Sequence, residues 1–378
     1  MDTGVKKTGL RFYIRTFGCQ MNVRDSEIIS GLLTAESWQL TTNLGEADII
    51  IFNTCSVRRH AEDKVWSEIG KLKKIQNSPI IGLVGCMAQA YKEKVFERSS
   101  RVDFVVGPND IHKIPEIIKK VACQNMFVRK VWETNTRIRP EEIYHKGFYE
   151  NREHAYVIIS EGCSNFCSYC VVPYVRGELK TRPHNSILRE IEEAIARGIT
   201  KITLLGQNVN AYEDNGVNFI KLIELVNSIK GLKEFSFITS HPQDTTLDLF
   251  KAMRDLEKLK KYLHLPVQSG SNRILNLMRR GYTREFYLDL VNNYRKMVKD
   301  GVLSTDIIVG FPTEKEEEFQ DSYNLVKEIR FNASYIFKYS PRPYTEAEKF
   351  PDDVSREEKE RRHRIILELQ KEISLGKK

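Results

Sequence analysis

The sequence predicts an α/β protein of two parallel-sheet domains, the second a partial (β/α)6 barrel. Strand-like and helix-like runs alternate along the chain, which is the grammar of a parallel sheet. The first three strand candidates end in cysteine: Leu10 to Phe17 before Gly18-Cys19, Ala47 to Phe52 before Asn53-Thr54-Cys55, and Pro79 to Val84 before Gly85-Cys86. A chain of 378 residues is also too long for one compact domain.

The N-terminal unit, expected over 9–124, is a three-layer parallel α/β domain with helices at Ser26 to Leu33, Ala61 to Ile75 and Ala88 to Glu97. In such sheets ligands bind outside the carboxyl ends of the strands. Cys19, Cys55 and Cys86 lie 36 and 31 residues apart, yet this topology brings them to one rim, where three thiolates can hold a metal centre. The alternative for each is core packing, because Cys is among the most often buried residue types. Cys123 follows a helix-like stretch, Ile114 to Ala122, and reads as a structural thiol. Asn22, Arg24, Asp25 and Ser26 sit at a helix start, where Asp and Ser cap exposed amides. Residues 125–150 are polar and broken by Pro140, a linker with room for one strand.

The second domain, 151–378, opens on E-G-C-S-N-F-C-S-Y-C, with Cys163, Cys167 and Cys170 in C-x3-C-x2-C spacing. Three local thiolates suit a [4Fe–4S] cluster with one iron left open. Structural zinc is the alternative, but it wants four closed ligands, and His154 and His184 are not at zinc-finger spacing. A disulfide fits poorly with seven Cys and no signal peptide. Six strand candidates carry this domain: Tyr156 to Ser160 leads into the loop, and Lys201 to Leu205, Glu234 to Thr239, Tyr262 to Val267, Thr305 to Val309 and Ala333 to Tyr339 come after it. A barrel built from them carries its site at the strands' carboxyl ends. Arg176, Lys180 and Arg182 form a cationic group after the Cys loop, suited to phosphate or to pairing with a carboxylate. Ser355 to Leu375 reads as one helix, with Ser355 and Glu358 in capping-box spacing and Ile366, Leu369 and Ile373 on one face.

A net charge of +8 permits a nucleic-acid partner without requiring one. No apolar run approaches the roughly 20 residues of a membrane span. No apolar signal core follows the basic start, Met1 to Thr8, so a cytoplasmic location and no membrane partner are expected.

The Cys163–Cys170 loop, with aromatic Tyr169 before its last Cys, resembles the signature of the radical S-adenosylmethionine (SAM) enzymes. In that family the open iron chelates SAM, and an added electron splits it into methionine and a 5′-deoxyadenosyl radical. The segments T-F-G-C-Q-M-N-x-R-D-S-E, N-T-C-S-V-R-R-H-A-E-D-K and G-C-M-A-Q resemble the methylthiotransferases, and the MiaB-type tRNA enzymes in particular. The resemblance implies a radical-SAM (β/α)6 domain and two [4Fe–4S] clusters. Cys163, Cys167 and Cys170 would hold the SAM cluster, and Cys19, Cys55 and Cys86 an auxiliary cluster that supplies or carries sulfur. It implies SAM contacts at Tyr169, Gly206, Gln207, Ser240, Gln268 and Ser269, and tRNA contacts at Arg176 and Arg182. Turn chemistry is the alternative for the Gly, Ser and Gln positions.

The implied reaction places a methylthio group on carbon 2 of isopentenylated adenosine beside the anticodon, at tRNA position 37. It uses two SAM and a low-potential electron donor in a monomer, with both clusters facing one cavity. Alternatives within the family are a ribosomal-protein Asp or a threonylcarbamoyladenosine in tRNA as substrate. An alternative of another class is a non-catalytic iron–sulfur redox module. Methylthiotransferases usually continue into a small RNA-gripping β-barrel, the TRAM domain, and the sequence given ends without its strands, which leaves RNA affinity open.

Overall fold

A computed structural model describes residues 9–56, 59–72, 78–123, 130–135, 138–146 and 149–376. The chain forms two compact units, one built from the chain up to Arg152 with Tyr174–Gly177, the other from Glu153–Pro173 with Glu178 onward.

The first unit alternates β1 (Arg11–Phe17), α1 (Gln20–Ala35), β2 (Gln39–Leu40), β3 (Ile49–Thr54), α2 (Arg59–Lys71) and β4 (Ile80–Gly85). It continues with α3 (Cys86–Tyr91), α4 (Lys94–Arg98), β5 (Phe104–Val106), α5 (Ile114–Ala122), β6 (Val131–Glu133) and α6 (Glu142–His145). The six strands form one parallel sheet in the order β2-β1-β3-β4-β5-β6. β3 and β4 are buried at every residue, as strands covered on both faces must be. On one face Ile50, Phe52 and Leu83 pack with Val65, Ile69 and Met87.

Two local expectations change. The first helix begins at Gln20 rather than Ser26, so Asn22, Arg24, Asp25 and Ser26 lie inside it and are buried rather than capping it. They find partners in the fold's interior, and those partners outweigh the modest helix propensity of Asn, Asp and Ser. Residues 125–150, expected as a linker, carry structure that belongs to this unit: β6 pairs with β5, and Arg139 is buried against Asp25 at 2.8 Å.

α7 (Val172–Arg176) follows the second Cys loop. The second unit contains β7 (His154–Ile158), β8 (Ser160–Glu161), β9 (Lys180–Thr181), α8 (His184–Ala196), β10 (Lys201–Leu205), β11 (Glu213–Asp214), β12 (Val217–Asn218), α9 (Phe219–Ser228) and β13 (Glu234–Ile238). It then runs through α10 (Leu247–Asp255), β14 (Tyr262–His264), α11 (Asn272–Leu277), α12 (Arg284–Met297), β15 (Val302–Val309), α13 (Glu316–Ile329), β16 (Ala333–Lys338) and α14 (Arg356–Leu375). β7-β10-β13 and β14-β15-β16 are parallel sheets. Phe235 on β13 exchanges two 2.8 Å backbone bonds with Lys258 and Lys260 just before β14. The six strands thus curve in sequence order as the expected partial (β/α)6 barrel. In α14 the Ser355 hydroxyl accepts from Glu358 N at 3.1 Å, and Ile366, Leu369 and Ile373 are buried. The Glu358 carboxylate turns to Arg361 and Arg362 rather than back to the cap.

Candidate functional site

In the first unit the register aligns the three cysteine-bearing strand ends. Phe17 pairs with Thr54, and Thr54 pairs with Gly85. Cys19, Cys55 and Cys86 therefore leave neighbouring strands at one rim, beside the β1/β3 position where strand order reverses and such sheets bind ligands. Gly18, at φ +144°, makes the approach possible, because a Cβ there would stand 2.6 Å from that of Cys55. Asn22 ties the loop down, donating to Asn53 Oδ1 at 3.0 Å and accepting from Cys19 Sγ at 3.4 Å.

The thiols sense one another. A hydrogen bond from Cys55 holds the Cys19 thiol down to about 6, burial opposes this, and the Arg176 charge adds to it. Burial pushes Cys86 up, against the pull of Arg176. That guanidinium donates to Cys86 Sγ at 3.3 Å and to Asp25 Oδ2 at 2.8 Å.

In the second unit the short antiparallel pair β8–β9 brackets the loop carrying Cys163, Cys167 and Cys170. Gly162 N donates to Gln207 Oε1 at 2.6 Å, Ser168 Oγ to Leu277 O at 2.7 Å, and Ser168 N to Met278 O at 3.1 Å. Burial raises Cys163 and pushes Cys170 up to about 12, with the Cys167 charge adding to the rise. In metal-free protein at pH 7, iodoacetamide is therefore expected to label Cys19 ahead of Cys170, because the thiolate is the reacting form. Peptide mass spectrometry over a time course checks the order.

The site differs from expectation at several residues. Arg182 is no phosphate contact: it is buried, donating to Glu190 and to Ile158 O, both at 2.6 Å. Arg176 is likewise buried against Asp25, the protein-acid alternative for this residue. Ser269 is fully buried and its hydroxyl accepts from Ser271 N at 3.2 Å, the bonding of a turn residue. Gly206 lacks a Cβ because Ser160 Oγ fills that space. Gln207 anchors the Cys loop. Tyr169 packs on Ile274, Met278 and Phe311. Gln268, at φ +74°, bridges to Ile307 through its backbone. Cys123 is exposed rather than structural.

Ser240 Oγ is buried without a hydrogen-bond partner, as are Ser160 Oγ, Asn208 Oδ1 and His241 Nε2. All four follow the carboxyl ends of β7, β10 and β13. His241 Nδ1 accepts from Gln243 N at 3.2 Å, which leaves Nε2 as the donor. Burial, helped by the Arg280 charge, lowers this imidazole to about 3, so it is neutral at physiological pH. Ser160, Asn208 and His241 escape the sequence reading because strand-end turn residues look alike whether or not they face a ligand.

Zinc loses its imidazoles: His154 Nε2 bonds Thr203 Oγ1 at 2.8 Å and His184 Nδ1 bonds Asp214 at 2.7 Å. Among the described residues no three His, Cys, Asp or Glu form a group that could hold one metal ion.

Residues 11–107 match the model of the Uncharacterized protein family UPF0004, and residues 157–326 that of the Radical SAM superfamily. A protein of Caldicellulosiruptor saccharolyticus named tRNA-2-methylthio-N(6)-dimethylallyladenosine synthase is 44% identical over 97% of this chain and 79% of its own. A Clostridium botulinum protein of the same name is 43% identical over 97% of this chain and 82% of its own. The chain belongs to this synthase family. The radical SAM methyltransferase TsrM from Kitasatospora setae matches in fold, with a TM-score of 0.61 at 12% identity over 90% of this chain and 77% of that one.

Radical SAM membership brings a [4Fe–4S] cluster and SAM to this synthase-family chain. Its residues fit both groups: a thiol trio on one pinned loop, and buried, unpartnered polar atoms at the strand ends, where a polar ligand would satisfy them.

Proposed function

We propose that the chain is a tRNA-2-methylthio-N(6)-dimethylallyladenosine synthase, adding a methylthio group to carbon 2 of isopentenyladenosine beside the anticodon. The observation that supports it best is that the chain is 44% identical to a protein of that name over 97% of its length, with cysteines that follow the carboxyl ends of parallel strands in each of its two units. In this reading Cys163, Cys167 and Cys170 hold the SAM cluster, and Cys19, Cys55 and Cys86 hold a second [4Fe–4S].

The hydrogen on carbon 2 is too weakly acidic for a side-chain base at neutral pH. When bound, SAM and its cluster supply the radical chemistry that removes it. The protein's own residues hold and orient. Gln207 fixes the start of the Cys loop, while Ser160, Asn208, Ser240 and His241 offer hydrogen bonds to SAM. His241, being neutral, adds no charge there. The target base must be splayed from its loop to be reached, and exposed cations on a chain of charge +8 suit its phosphates. A low-potential electron donor, a monomeric state and a cytoplasmic location complete the proposal. Among the described residues no helix is long and apolar enough to cross a membrane.

The test is anaerobic reconstitution, then reaction with SAM, reductant and tRNA carrying isopentenyladenosine, followed by nucleoside mass spectrometry. The expected product is the 2-methylthio nucleoside. Unmodified tRNA alongside methylthiolated ribosomal protein would move the assignment to the protein-modifying branch. SAM left intact would reduce it to a redox module.

A further inference from the structure

Arg280, between α11 and α12, is a cation to which the described residues supply no carboxylate. Its side chain is buried, with the residue only 4% exposed. Nη1 donates to Cys167 Sγ at 3.4 Å and to Tyr169 Oη at 3.3 Å. Nη2 donates to Pro266 O at 2.8 Å, and Nε to Tyr282 Oη at 3.0 Å. Tyr282 in turn donates to Val267 O at 2.9 Å, so the guanidinium is held from every side. Among the described residues no Asp or Glu pairs with it. The contrast with Arg176 is instructive: that arginine also donates to a cysteine sulfur, but Asp25 balances its charge.

A buried, unbalanced charge is strongly destabilising. The Tyr282 ring, 5.3 Å from the guanidinium carbon, offsets part of that cost, and an anion beside the guanidinium would balance the charge outright. Arg280 touches the loop of three thiols directly, through Cys167 Sγ and through Tyr169, the residue before Cys170. A cluster carried by three thiolates is anionic and becomes one unit more negative on reduction.

We infer that Arg280 is a positioning residue that supplies the balancing positive charge for the cluster on Cys163, Cys167 and Cys170, making that cluster easier to reduce. This rests on the assignment of those thiols as cluster ligands. A guanidinium hydrogen-bonded to a ligand sulfur stabilises the reduced state more than the oxidised one, since hydrogen bonds to the sulfurs and nearby charge both set such potentials. The sequence hides this residue because Arg280 stands in the run Met278-Arg279-Arg280-Gly281, where two adjacent arginines look like a solvated turn. Arg279 is in fact the exposed one, paired with Glu346.

The test uses full-length protein with Cys19, Cys55 and Cys86 all replaced by Ala, reconstituted anaerobically so that only one cluster is read. About four irons per chain with the EPR signal of a reduced cluster supports the ligand assignment; no iron on this background sinks that assignment independently of Arg280. On the same background R280Q and R280M are expected to lower the midpoint potential by at least about 59 mV, a tenfold change in the reduction equilibrium, or to lose iron. R280K, which keeps the charge but not the fork, is expected to keep its iron and shift less. A neutral variant with full iron and the parent potential would overturn the inference. So would R280K behaving like R280Q, because shape rather than charge would then be the cause.

Discussion

Replacing Asp25 with Ala is expected to destabilise the N-terminal unit by about 3–5 kcal/mol, the cost of leaving buried charge without its partner. Asp25 is 1% exposed. Each of its oxygens receives one guanidinium, Oδ1 from Arg139 and Oδ2 from Arg176, both at 2.8 Å. Burial pushes this carboxyl up, and the charges of Arg139 and Arg176 outweigh it to hold the group below its ordinary 3.8. Deleting the side chain strands two cations in the interior and frees Arg176 from its seat beside Cys86. The measurement is convenient, because Trp38, Trp66 and Trp132, the chain's 3 tryptophans, all lie in this unit, so tryptophan fluorescence follows its unfolding alone. A denaturation midpoint unchanged in D25A would show that the two arginines find other anions. Linkage gives the same pair a pH signature. A depressed folded-state pKa means stability is present above 3.8 and is lost as pH falls through the lower folded value. The D25A unit should lack that part of its acid sensitivity.

The sequence makes the fold legible where periodicity and punctuation agree. Lys201–Leu205 is a strand at its expected bounds, and α14 spans its expected range because Ser355 caps it and its apolar face is regular. The thiol positions are equally readable, since a cysteine just past a buried strand lands at a sheet's rim whatever the loop does. What stays hidden is which charges are buried together. Asp25 and Arg139 are 114 residues apart, and Arg182 meets Glu190 across a turn. In a linear sequence a buried arginine and a solvated one have the same letter, so Arg176 and Arg182 read as an RNA surface. α1 misleads for a related reason. Its first turns are polar because they face other buried polar groups, and local pattern assigns such turns to a cap.

Replacing Cys163, Cys167 and Cys170 together with Ala is expected to abolish SAM cleavage and to remove about half of roughly eight irons per chain. Replacing Cys19, Cys55 and Cys86 should remove the other half and leave reductive SAM cleavage to 5′-deoxyadenosine intact, while the methylthio product disappears. The two outcomes separate because each trio sits in its own compact unit on its own strand ends, so neither set of substitutions touches the scaffold of the other. Their chemical settings also differ. Cys19 is held down to about 6 by its hydrogen bond from Cys55, whereas burial pushes Cys170 up to about 12. Metal binding must displace protons from Cys163 and Cys170 to form thiolates, so loading of this trio should be favoured at higher pH. Iron assay, 5′-deoxyadenosine by chromatography and nucleoside analysis on the two triple variants decide the matter. Loss of SAM cleavage in the Cys19, Cys55 and Cys86 variant at full iron in the other trio would show that the first unit's thiols serve the radical step itself, and full iron in both variants would place the clusters on other ligands altogether.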